Sequence, residues 1–79
     1  MRRDDFAWEE AKAAENYAKH GVSFEFAIEV FKDPFAIERL DDREDYGEDR
    51  FILIGSTEGS ILTIVYTDRN DRIRIISSR

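Results

Sequence analysis

The chain has 79 residues, 42% of them hydrophobic and 13% aromatic, which is enough apolar material for one small core and one domain over 1–79. It has no cysteine and a single histidine, so disulfide scaffolds, thiol catalysis and zinc ribbons are excluded, and its apolar runs are too short to span a membrane. The net charge is −6 and uneven: residues 1–48 carry seven Lys or Arg against fourteen Asp or Glu, and residues 49–79 carry five Arg against four acids.

The first residues, Met1-Arg2-Arg3-Asp4-Asp5, lead into the chain without an apolar signal core, so a soluble cytoplasmic protein is expected. Phe6 and Trp8 alternate with Asp5 and Ala7 and suit a brief strand. Glu9 to His20 reads as a helix, with Glu9 and Glu10 in the first turn where the dipole favours anions. Ala7, Ala11, Ala14 and Ala18 predict a small-residue packing face, and Lys12, Asn16 and Lys19 share another face. Gly21 is the predicted stop, since glycine readily takes the left-handed conformation of a helix end. Ser23 is a candidate N-cap for a second helix. Phe24, Ala27, Ile28 and Phe31 keep helical period through Lys32, and Asp33-Pro34 ends it.

From there the period changes to two. Phe35 to Leu40 predicts a strand with Phe35 and Ile37 on one face, followed by an acidic loop from Asp41 to Asp49. Arg50 to Gly55 and Ile61 to Thr67 are rich in β-branched and aromatic residues on both faces and predict central strands. A turn at 56–59 joins them, and Asp68-Arg69-Asn70-Asp71 predicts a hairpin turn. Arg72 to Ser77 closes the pattern, with Ile73 and Ile75 inward and Arg72 and Arg74 outward. The order β-α-α-β-β-β-β predicts an α+β domain with both helices on one face of an antiparallel sheet.

Three constellations can carry chemistry. His20 in Lys19-His20-Gly21 can move protons near neutrality, or Lys19 and His20 can simply complement the carbonyls of a helix end. Arg50, Arg69, Arg72, Arg74 and Arg79 can hold phosphate oxygens with planar forks, or lace an exposed sheet face with ion pairs to Asp49, Asp68 or Asp71. Glu48, beside Asp49 and Arg50, can act as a base next to a phosphate clamp, or as a structural ion pair. The acidic overall balance speaks against general nucleic-acid binding, but the charge is uneven and all basic residues of the second half are arginines. No phosphate-binding glycine loop, dinucleotide fingerprint or metal-ligand spacing is present.

Phe6-x-Trp8, Lys12, Asn16, Lys19-His20-Gly21-Val22-Ser23-Phe24 and Ala27 form one long motif. Val30-Phe31-x-Asp33-Pro34, Glu48-x-Arg50, Gly55, Thr67-x-Arg69 and Arg74-Ile75-Ile76-Ser77-x-Arg79 extend it. Over nearly the whole chain this resembles the BrnT family of bacterial type II toxins. Family members commonly have Ala where Ser78 stands, and they continue past the final arginine with a basic, helix-forming tail. The resemblance implies a RelE-like fold, growth inhibition by metal-independent RNA cleavage without a cofactor, and neutralisation by a BrnA-type antitoxin. That antitoxin type carries a ribbon-helix-helix DNA-binding part, so any DNA contact of the toxin is indirect.

With that reaction in view, Arg74 and Arg79 are the expected phosphate stabilisers, converging as a fork on one phosphate. Arg50 or Arg69 assists, and Arg72 adds RNA contact. His20 or Lys19 is the first choice for proton transfer and Glu48 the second. The rival expectation is a non-catalytic, toxin-like binding module that serves as antitoxin partner and co-repressor.

Overall fold

The period switch at Pro34 divides the molecule as the sequence predicts. The computed structural model describes residues 5–43, 47–69 and 71–79. Its elements are β1 (Phe6–Ala7), α1 (Glu10–His20), α2 (Phe24–Ala27) with a 3₁₀ continuation (Ile28–Lys32), β2 (Ile37–Asp41), β3 (Arg50–Thr57), β4 (Ser60–Arg69) and β5 (Arg72–Ser78). Glu44, Asp45 and Tyr46 of the acidic stretch and Asn70 of the predicted hairpin turn lie outside the described residues, as do Met1 to Asp4.

The helix ends follow their residues. Gly21 closes α1 at φ 70°, and its N–H reaches the Tyr17 carbonyl. The Ser23 hydroxyl accepts the Phe26 N–H at 3.1 Å and caps α2. Asp33, ahead of Pro34, takes an extended backbone and stops the 3₁₀ turn. The second helix therefore reaches Lys32 as predicted, but tightens to 3₁₀ after Ala27.

The sheet is mixed, not purely antiparallel as expected. Its order is β1-β5-β4-β3-β2. β1 runs parallel to β5, pairing Phe6 with Ile73 and Ala7 with Arg74. The β2–β3, β3–β4 and β4–β5 ladders are antiparallel. Hairpins enforce antiparallel neighbours, whereas β1 reaches β5 from the other end of the chain through a helical crossover, which permits a parallel pair. In β5, Ser77 pairs with Val65 and Ile75 with Tyr66, leaving Ile76 as the extra residue of a bulge.

One core lies between the helices and the sheet. Phe24, Ala27 and Val30 are fully buried against Leu53, Leu62, Ile64, Tyr66 and Ile75, and Ala13 of α1 packs on the same cluster. Tyr66 sits between Phe31 and Phe51, with ring centroids at 5.2 and 5.4 Å. Its hydroxyl donates to Glu38. Gly55 is required where the loop after the 3₁₀ turn crosses β3: an added Cβ would lie 2.8 Å from Val30 Cγ1 and 2.9 Å from the Ala36 Cβ.

The predicted alanine face of α1 is not buried. Ala11, Ala14 and Ala18 are exposed, and the buried residue of this helix is Asn16. Phe35 precedes β2 rather than starting it and is exposed, as is Ile37.

Candidate functional site

Asn16 is buried because it meets the open edge of β5. β1 covers only Ile73 and Arg74, so the next residues of β5 have no strand on that side. The Asn16 side chain fills the place of one. Its Nδ2 donates to the Ser78 carbonyl at 2.7 Å and to the Val22 carbonyl at 3.0 Å, and its Oδ1 accepts the Ser78 N–H at 3.0 Å. An amide can do this because it presents a donor and an acceptor side by side, as a peptide group does.

This contact fixes a cleft of about 160 Å³ between α1 and β5, lined by Lys12, Glu15, Asn16, Lys19, His20, Ile76 and Ser77. Two sequence segments far apart in the chain, Lys19-His20 and Ile76-Ser77, thus form its opposite walls. Lys12 and Lys19 share the helix face predicted for them, with Asn16 between them. The site combines two cations with the one histidine of the chain and a carboxylate.

A second group stands at the other end of β5. Arg69, Arg72, Arg74 and Ala7 line a cleft of about 460 Å³. Arg69 pairs directly with Arg72 across the ladder, and Arg74 pairs with Thr67. Like charges directly opposite are unfavourable unless an anion lies close. Glu48 supplies one: Arg69 donates to it at 2.8 Å and Arg50 at 3.4 Å. The hydrogen bond from Arg69, assisted by Arg50, holds the Glu48 carboxyl below its usual value against the opposing effect of partial burial. Arg74 is ion-paired to Glu9. Arg72 makes no hydrogen bond or ion pair to any described residue.

The predicted site residues therefore divide into two places. Lys19 and His20 belong to the α1–β5 cleft, and Arg69, Arg72 and Arg74 to the arginine cleft. Glu48 and Arg50 adjoin the arginines through Arg69 and each other. Of the two arginines expected to form a fork, Arg74 is held by Glu9 and Arg79 follows the last residue of β5. The Arg79 backbone stays paired with Thr63, at 3.0 and 2.6 Å, so the chain does not curl back. Thr63 and Thr67, the partners of the two arginines, lie roughly 13 Å apart at the usual strand rise.

Sequence reasoning missed Glu9 as the partner of Arg74, Asn16 as the cover for β5, and Ala7 as the floor of the arginine cleft. The alternation at Phe6 and Trp8 signalled a strand, but nothing local named its neighbour.

An α+β domain with its helices gathered over one core and an arginine-rich sheet end is a platform for an anionic partner. A family model places residues 8–79 among the ribonuclease toxins of type II toxin-antitoxin systems. The family is BrnT, and the chain belongs to it. Membership implies an RNA substrate and an antitoxin partner. A search of curated proteins returned no match. Among the described residues, no helix is long and apolar enough to cross a membrane.

Proposed function

We propose that this chain acts in the cytoplasm as a metal-independent endoribonuclease of RelE-like architecture, held inactive by a BrnA-type ribbon-helix-helix antitoxin. The observation that carries this reading is the α1–β5 cleft, which gathers His20, Lys19, Lys12 and Ser77 at one end of β5.

The reaction is a transesterification. A base removes the proton of a ribose 2′-OH, the 2′-oxygen bonds to the adjacent phosphorus, and the bond from phosphorus to the 5′-oxygen breaks. The departing 5′-oxygen takes up a proton, leaving a cyclic 2′,3′-phosphate and a 5′-hydroxyl. His20 carries the proton in this reading, because it is the one imidazole of the chain and it lines this cleft. Lys19 and Lys12 beside it, and Arg79 two residues past Ser77, steady the charge that builds on the phosphate oxygens.

Arg74 serves a different phosphate of the same strand from Arg79. Its cleft lies roughly 10 Å along β5 from Ser77, so Arg69, Arg72 and Arg74 grip flanking RNA. Glu48 acts here as a clamp rather than a base. Its carboxyl is held below its usual value by two arginines, which makes it a weak proton acceptor and a good anchor.

The non-catalytic binding module is the alternative. The arginine face already takes carboxylates from Glu9 and Glu48, as it would take those of an antitoxin. Expression of the chain in bacteria, with and without its antitoxin, separates the two. Growth arrest with loss of intact RNA, relieved by the antitoxin, supports the nuclease. Normal growth with folded protein accumulating supports the binding module.

A further inference from the structure

Beside the arginine cleft lies a second, smaller one of about 270 Å³, and the two share Ala7 and Arg72. Its walls differ in chemistry. Trp8 supplies an aromatic surface and Glu10 a carboxylate. The indole is half-buried, with its ring edge-on to Phe24 at 5.8 Å, so the core fixes its orientation while part of it faces the cleft. Glu10 is exposed and makes no hydrogen bond or ion pair to any described residue. The volume falls just below that of pockets for drug-sized ligands, which suits one planar base.

The strand register explains the juxtaposition. Parallel pairing places Ala7 beside Arg74, and the methyl group leaves room between the arginines and Trp8. Glu48 holds Arg69 and Glu9 holds Arg74, one on each side, and Arg72 stands between them without an ion-pair partner among the described residues.

We propose that these adjoining clefts form a single nucleotide subsite, with the base against Trp8 and its phosphate on Arg72. Single-stranded nucleic acid is held by this combination, an aromatic platform next to a cationic track. The Glu10 carboxylate adds selectivity. Its two oxygens accept hydrogen bonds from neighbouring N–H groups, and guanine presents two such donors on its Watson–Crick edge while uracil presents one. The subsite therefore favours guanosine over uridine. This inference rests on the reading of the chain as an RNA-binding nuclease and names a base that the RNA offers.

Trp8 is the only tryptophan, so its fluorescence reports the subsite without any turnover. The probes are guanosine 3′,5′-bisphosphate, uridine 3′,5′-bisphosphate and inorganic phosphate. The guanosine probe is expected to change the emission saturably and to bind at least about fivefold tighter than the uridine probe, the lower end of the discrimination one bidentate base contact provides. Inorganic phosphate leaves the emission unchanged. Arg72→Ala weakens both nucleotides by a similar factor and lowers the salt dependence of binding. Glu10→Gln removes the guanosine preference and keeps uridine binding. Silent fluorescence in folded wild type, equal affinity for the two nucleotides, or a preference that survives Glu10→Gln would each overturn the subsite. If RNA is cut while Trp8 stays silent, the subsite is wrong and the nuclease reading stands. If the nucleotides bind as described while RNA stays intact, the subsite stands and the nuclease reading fails.

Discussion

The side-chain amide of Asn16 pairs with the backbone of Ser78 as a strand would, donating to its carbonyl at 2.7 Å and accepting its N–H at 3.0 Å. A helix residue thereby closes the edge of β5 and sets the cleft that holds Lys19 and His20. Asn16→Ala leaves these Ser78 groups unpaired in a buried setting, where each costs about 1–3 kcal/mol. We expect a loss of roughly 2–4 kcal/mol in urea unfolding. Asn16→Asp also destabilises, because a carboxylate cannot donate to the Ser78 and Val22 carbonyls. An unchanged midpoint in both variants would remove this role.

Ser78 itself offers the opposite test. Its side chain is fully buried, and Oγ has no hydrogen-bond partner among the described residues. Ser78→Ala removes a desolvated hydroxyl without opening space, so stability should stay level or rise by about 1 kcal/mol. Thermal unfolding of the variant measures this, and a drop of several degrees would show that the hydroxyl contributes.

Asp33 makes stability depend on pH. Its carboxylate accepts the N–H groups of Ser56 at 2.8 Å and Phe35 at 2.9 Å, tying the loop to β3. The Ser56 backbone bond, then that of Phe35, holds its pKa below the ordinary value of 3.8. A carboxyl lowered in the folded state adds stability that is fully present above the unfolded value and lost as pH falls through the folded one. Asp33→Asn should therefore be less stable than wild type at neutral pH. The gap should close as pH falls below about 3.8. Urea midpoints across that range check it, and a gap that stays constant contradicts it.

The legible part of this fold is the part written locally. Gly21 and Ser23 carry their caps in their own chemistry, and the alternation of Arg72 to Ile75 names its faces. The parallel partner of β1 was not legible, because a two-residue strand states no register and its neighbour lies at the far end of the chain. Nor was the buried face of α1. Helical spacing identifies faces but not which one meets the sheet, and here a polar side chain is chosen by the bare edge of β5. The candidate site divides in the same way. The arginines were visible as a set, but their separation into two ends follows from a strand that stays paired through Arg79. The Lys19-His20 and Ile76-Ser77 segments were visible as motifs, and only the fold joins them.

The most direct test of the account is RNA cleavage by the purified chain in excess chelator, with wild type, His20→Ala and Arg79→Ala compared and each shown to be folded by circular dichroism. Wild type is expected to cut RNA without added metal and to leave cyclic 2′,3′-phosphate ends. Arg79→Ala should lose about 10²–10³-fold in rate, the usual cost of removing one electrostatic donor from a reacting centre. His20→Ala should also be slower, because it removes the group that carries the proton. Wild type that cuts only with magnesium, or a folded His20→Ala that cuts as fast as wild type, would contradict it.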